Sequence, residues 1–257
     1  MLILLVVFGG LTGCTGIDPT RTLTTIWMVQ PAEVPSEEVT VSSGDLVLRQ
    51  PLHPTALAVL EADLQHGSGD DDFLPAGTRL FEVQNASAQV FCALNLAYTP
   101  DLQRILLGTS SAQRCLVDAN NDSLFEGKFV FHSPIQGLPL VEGQLPKDPD
   151  PVEPPVPYRR GSPSEVGDEY FVGIRYEGKP LLYNRRNFRI RFGNSQSQDG
   201  LTNFSYTSGD DYPKSHNMLG SQFTIVAEDD GTLTIRIDRM MPLQPFSVTQ
   251  TVSYRFY

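Results

Sequence analysis

Phe223-Thr-Ile-Val-Ala-Glu-Asp-Asp-Gly-Thr-Leu-Thr-Ile-Arg-Ile237 (FTIVAEDDGTLTIRI) consists of two alternating runs around a turn signal. Phe223, Ile225 and Ala227 share one face of the first run, and Leu233, Ile235 and Ile237 share one face of the second. Successive side chains of a strand point to opposite sides, so this alternation predicts strands with one buried face. Asp230-Gly231 between them is a strong hairpin signal. The same period extends outward in both directions. Phe188, Ile190 and Phe192 alternate with Asn187, Arg189 and Arg191, and Val248, Val252, Tyr254 and Phe256 continue the pattern toward residue 257.

Earlier in the chain Val39–Val41, Leu46–Leu48, Leu80–Val83 and Val90–Leu96 are short β-prone runs bounded by Gly, Pro, Asn or Asp. Ala56–Leu64 is ambiguous, because Leu57, Leu60 and Leu64 also fit one face of a helix. Nine of the 20 prolines lie between Pro134 and Pro163, and Gly143–Pro157 (GQLPKDPDPVEPPVP) has little apolar material to bury. Proline fixes φ and removes an amide donor, so this stretch predicts an extended connector. The expected fold is mainly β, with two small antiparallel domains, sandwich or barrel-like, at residues 38–137 and 166–257, joined by a Pro-rich linker at 138–165.

With 257 residues the chain is long enough for one large or two small domains. Its formal charge of −11 argues against a nucleic-acid binder, which needs positive charge to displace phosphate counterions. The charge is uneven: −12 over residues 1–157, +4 over 158–191 and −3 over 192–257.

Leu2–Phe8 (LILLVVF) is too short for a membrane-spanning helix and reads as the apolar region of a signal peptide. Leu11-Thr12-Gly13-Cys14 follows it, and the segment resembles a bacterial lipoprotein signal, whose lipobox ends in the cysteine that takes the lipid. The resemblance implies a signal peptide at 1–13, lipidation at Cys14, a tether over 14–37 and a membrane partner reached through the lipid anchor. No Lys or Arg precedes Cys14, a departure that a start codon upstream of Met1 would explain. The implied location is the cell envelope; Thr15, in place of Asp after the cysteine, implies the outer membrane in a cell that has one. Export makes the other two of the three cysteines, Cys92 and Cys115, a disulfide pair, with two buried thiols as the alternative. A membrane barrel is disfavoured, because Arg255, Ser253 and Thr251 are the positions in phase with the terminal Tyr257.

Two constellations carry chemistry. Asp118, Asn120 and Asp122 have the alternating oxygen spacing of a calcium loop, with Glu126 at the ninth position. Ser123 and Phe129 stand where an EF-hand needs Gly and Glu, so a calcium site would need a further acid, such as one of Asp70-Asp71-Asp72. The alternative is an Asx-rich turn between strands. In the basic region, Arg185, Arg189 and Arg191 share a strand face opposite Phe188 and its in-phase neighbours. They could form an anion-binding patch for an envelope polymer or protein, or an ordinary solvated face paired with acids.

Catalytic motifs are missing: there is no Gly-x-Ser-x-Gly, His-Glu-x-x-His, glycine-rich phosphate loop or Ser-x-x-Lys. The scattered histidines His53, His66, His132 and His216 do not suggest zinc. Asp210-Asp211 beside Tyr206 and Tyr212 reads as a turn, a sugar-binding face or a carboxylate pair for hydrolysis of an envelope polymer. The leading expectation is a non-enzymatic, lipid-anchored binding or structural module. A calcium-stabilised glycan- or protein-recognition module and an envelope hydrolase are the alternatives.

Overall fold

The computed structural model describes residues 18–65, 73–94, 111–133, 135, 137–180, 185–195, 198–209 and 211–248. Its first strands are β1 (Thr22–Thr24), β2 (Trp27–Val29), β3 (Val39–Val41), β4 (Leu46–Pro54), β5 (Leu57–Leu60), β6 (Leu64–Gln65) and β7 (Phe73–Leu74). Next come β8 (Arg79–Val83), β9 (Gln89–Leu94), β10 (Ser111–Asp118), β11 (Leu124–Ser133), β12 (Glu142–Gln144) and β13 (Asp150–Gly161). The last are β14 (Phe171–Gly178), β15 (Arg185–Gly193), β16 (Gln198–Ser208), β17 (Lys214–Met218), β18 (Ser221–Asp229), β19 (Thr232–Arg239) and β20 (Gln244–Phe246). The described residues contain no α-helix, and every paired strand is antiparallel, as the alternating pattern predicts.

Two sheets form a sandwich. One has the order β16-β15-β14-β4-β2-β20 and the other β17-β18-β19-β3. Val172, Ile174 and Tyr176 of β14 and Phe188 and Phe192 of β15 share a core with Phe223 and Ile225 of β18 and Leu233, Ile235 and Ile237 of β19. Phe188 meets Phe223 edge-on with ring centroids 5.1 Å apart. The β18–β19 turn forms at Asp230-Gly231, whose φ values of +44° and +77° suit the paired left-handed positions of a tight hairpin.

One bulge changes this hairpin from the alternation read in the sequence. The register slips between Ile225 and Ala227, so Ile225 faces Ile235 but Ala227 faces Thr234 and Glu228 faces Leu233. A single extra residue reverses the facing of everything after it. Ala227 is therefore exposed, and Glu228 turns toward the buried side.

The remaining large element is a closed barrel, β10-β11-β13-β5-β8-β9. Phe91, Leu116, Phe125, Val152, Val156 and Tyr158 fill one set of alternate positions together with Ala58, Leu60 and Leu80. The opposite face of β9, β10 and β11 carries Cys92, Cys115, Val117 and Phe129, packed against Leu23 of β1 and Val141 and Leu145 beside β12. The ambiguous Ala56–Leu64 segment is a strand at β5, all four residues of which are buried. Both its faces are covered, which removes the alternation that would have marked it.

The Pro-rich linker expectation is corrected. Asp150–Gly161 is a barrel strand that pairs with β11 on one side and β5 on the other. The ladder runs through Lys128↔Asp150 and Gly127↔Pro151, then resumes at Phe125↔Val156 and Leu124↔Pro157. Residues 152–155 have no β11 partner between these pairs; Val152 stays in the core and residues 153–155 arch out, so Pro154 and Pro155 occupy positions where no ladder amide is needed. Pro157 still serves as an acceptor, taking the Glu61 N–H at 3.0 Å.

The expected domain boundaries change as well. Strands β2, β3 and β4 pair with β20, β19 and β14, so residues 27–54 belong to the same sandwich as 171–246. The barrel, 57–161, is inserted between these two parts. The expected tether over 14–37 thus includes β1 and β2, which are built into the body. At the junction Trp27, Phe81 and Tyr170 form an aromatic triangle with centroid separations of 5.2, 4.9 and 5.4 Å, joining barrel to sandwich. Cys14, Asp70-Asp71-Asp72, Asp210 and the register of residues 251–257 lie outside the described residues.

Candidate functional site

Cys92 and Cys115 lie directly opposite on β9 and β10 and form a disulfide, with Cα atoms 4.0 Å apart. Both are buried on the outer face of the barrel under the β1–β12 ribbon. The bridge fastens two barrel strands whose intervening segment is long, and its sequence separation is 23 residues.

The turn between β10 and β11 brings Asp118, Asp122 and Glu126 together, with one carboxylate oxygen of each within 4.8 Å of the others. Asp118 is fully buried and accepts four hydrogen bonds. Oδ1 takes the N–H groups of Asn121 at 2.6 Å and Asp122 at 3.3 Å. Oδ2 takes the Ser123 N–H at 3.0 Å and the Tyr158 hydroxyl at 2.8 Å. A carboxylate has about four lone-pair sites, and those of Asp118 are all engaged internally. Asn120 Oδ1 accepts from the Asp122 N–H at 3.0 Å, Asp122 Oδ1 from the Leu124 N–H at 2.9 Å, and Glu126 Oε2 from the Ala119 N–H at 3.1 Å.

This is the bonding of an Asx turn, in which acids and Asn satisfy the amides of a tight loop. Asn121 and Ser123 have φ of +62° and +70°, conformations that these internal hydrogen bonds hold in place. Tyr158 comes from β13, 40 residues further along, so no local spacing could have announced it. Its hydroxyl pKa is pushed up to about 12, first by burial and then by the hydrogen bond to Asp118.

The arginine face is partly assembled. Arg189 and Arg191 lie on the outer face of β15, together with Arg175 of β14, around the carboxylate of Glu177. Arg175 binds Glu177 bidentately through Nε at 2.9 Å and Nη2 at 2.8 Å. The Nε atoms of Arg191 and Arg189 stand 3.6 and 3.8 Å from Glu177 Oε1. Burial opposes ionisation of Glu177, but the Arg175 bond and the neighbouring Arg191 and Arg189 charges outweigh it and hold its pKa below the usual range. Arg185 does not join this group. It sits exposed opposite Ser208, beyond the last β14 pair at Gly178↔Asn187.

A charged group missed in the sequence lies inside the sandwich. Arg186 is 1% exposed, and its Nε donates to Glu228 Oε2 at 2.8 Å. Its Nη2 also bonds Glu228, Nη1 reaches the Gly209 carbonyl at 2.8 Å, and the Tyr212 hydroxyl donates to Glu228 at 2.6 Å. Arg186 is in phase with Phe188 and Phe192, which signals an inward charge; its partner depends on the β18 bulge, which alternation does not reveal.

Comparison with protein-family models, with characterised proteins and with solved structures returned no match. No helix among the described residues is long and apolar enough to cross a membrane.

Proposed function

We propose that this chain is a lipid-anchored protein of the bacterial cell envelope, whose barrel and sandwich act by binding or structural support. The observation that carries this reading is the Cys92–Cys115 disulfide. Such bridges persist in oxidising compartments, and pairing these two of the three cysteines leaves Cys14, at the end of the lipobox-like segment, for lipid. Thr22, the first strand residue, is eight residues beyond Cys14, so the body stands at most about 29 Å from the anchor. Metabolic labelling with a fatty-acid analogue tests the anchor: label should enter the wild type and be lost in Cys14→Ala. Label retained by that variant overturns the proposal. Crosslinking in intact cells then identifies the partner.

A second reading, a calcium-stabilised recognition module, draws on the convergence of Asp118, Asp122 and Glu126. Calorimetric titration with calcium tests it. An absence of heat, together with a melting temperature unchanged by calcium, leaves the turn as a purely structural device.

A further inference from the structure

We propose that the outer face of β14 and β15, around Arg175, Arg189 and Arg191, binds a phosphate group, and that Arg191 is its principal ligand. This deepens the binding-module reading and rests on it for the claim that the body has a ligand. Arg175 and Arg189 are register partners, and Arg191 is the next outward position on β15. Like charges directly opposite in a sheet are destabilising, and here the Glu177 carboxylate is shared among the three guanidinium groups. That carboxylate is taken up bidentately by Arg175. Arg191 is left at 3.6 Å, outside hydrogen-bond range, and its Nε is buried with no hydrogen-bond partner.

Asp199 is the other acid acting on Arg191, through space; its Oδ1 accepts the Gly200 N–H at 2.7 Å. Burial, then the charges of Arg175 and Arg189, pull the Arg191 pKa below the ordinary guanidinium value against the opposing pull of Glu177 and Asp199. Arg191 therefore keeps a buried Nε–H that neither Glu177 nor any other acceptor among the described residues satisfies. A phosphate supplies up to two charges and several acceptor oxygens, which suits guanidinium forks better than the single charge of a carboxylate.

The Arg191 side chain is held in place. It lies along β16 over Gly200, where an added Cβ would come within 2.8 Å of its Cδ. Its side chain is 18% exposed, so the guanidinium is positioned with little rotamer freedom left to lose on binding. Beside it, Glu177 also lines a cleft of about 480 Å³ between three turns, with Ser42, Ser43, Lys179, Asp230 and Thr232. The polar remainder of a phosphorylated ligand can rest there.

The test is calorimetric titration of the full chain, at constant ionic strength, with inorganic phosphate and separately with monomeric short-chain phosphatidylglycerol. Saturable binding of both supports a phosphate-bearing headgroup or polymer, and binding of inorganic phosphate alone supports free phosphate as the ligand. Arg191→Gln should weaken binding about tenfold, and Arg191→Lys should fall between, since it keeps the charge without the fork. Glu177→Gln should tighten binding by removing the competing carboxylate. The proposal is overturned if the wild type binds neither probe, if acetate binds as tightly as phosphate, or if Arg191→Gln and Arg191→Lys both bind as wild type. Loss of phosphate binding alone would leave the lipid anchor standing, and retained fatty-acid label in Cys14→Ala would leave this site standing.

Discussion

Arg186 of one sheet and Glu228 of the other meet across the sandwich in an ion pair that the Tyr212 hydroxyl completes. Glu228 faces inward only because of the bulge between Ile225 and Ala227, so a backbone irregularity and a buried charge are two parts of one device. Removing Glu228 takes away the carboxylate that both Nε and Nη2 of the buried Arg186 bind. Glu228→Gln is expected to lower unfolding stability by about 3–5 kcal/mol, while replacing both residues with apolar ones of similar volume should cost much less. Urea unfolding of the single and double variants measures the difference.

Acid should weaken this pair. Burial opposes ionisation of Glu228, but the Tyr212 hydrogen bond and Arg186 together hold its pKa below the ordinary range. The folded state then binds fewer protons than the unfolded state, and stability rises with pH in that window. The contribution is complete above the unfolded carboxylate value of about 4.3 and is lost as pH falls through the lowered folded value. Glu228→Gln should flatten the acid limb of a stability–pH curve; an unchanged slope would contradict the assignment.

At the alkaline end Tyr158 acts in the opposite sense. Its folded pKa of about 12 exceeds the ordinary tyrosine value, so its contribution is complete below about pH 10 and is lost as pH rises toward 12. Denaturant midpoints across this range should decline with a slope that Tyr158→Phe reduces.

Reduction of Cys92–Cys115 should lower stability by about 3 kcal/mol, the chain-entropy value for a loop of this length. Comparison of oxidised protein with a Cys92→Ser, Cys115→Ser variant by chemical denaturation gives the number directly.

Asp118→Ala removes a buried acceptor of four hydrogen bonds and frees three turn amides and a tyrosine hydroxyl at once. A loss of about 2–4 kcal/mol is expected. Asp122→Ala, which removes a side chain on the exposed part of the turn, should cost about 1 kcal/mol. Similar losses for the two variants would show that Asp118 does not organise the turn.

Much of the sandwich was legible because its strands bury one face. Phe188, Phe192, Phe223, Ile225, Leu233, Ile235 and Ile237 all reach the core from alternating positions. The barrel was harder to read. β5 is covered on both sides and shows no period, and the apolar members Val152, Val156 and Tyr158 of β13 are diluted by prolines that the arch accommodates. At the candidate sites, odd numbering put Arg185, Arg189 and Arg191 on one face; Arg189 and Arg191 stand by Glu177, and Arg185 lies further along the strand. Arg175 and Glu177 come from the neighbouring strand, and the sequence carries no rule for which strands become neighbours.

Alternation and turn residues depend on nearest-neighbour geometry, so they are written in the chain and foretold a mainly β protein, while the count of cysteines together with the expected export foretold the Cys92–Cys115 bridge. Long-range pairing is not local. It placed residues 27–54 against 171–246, turned a supposed linker into a barrel strand, and set Tyr158 on Asp118 and Arg186 on Glu228. These outcomes depend on which partners cover which faces and where a one-residue bulge reverses the phase, and no window of sequence contains that information.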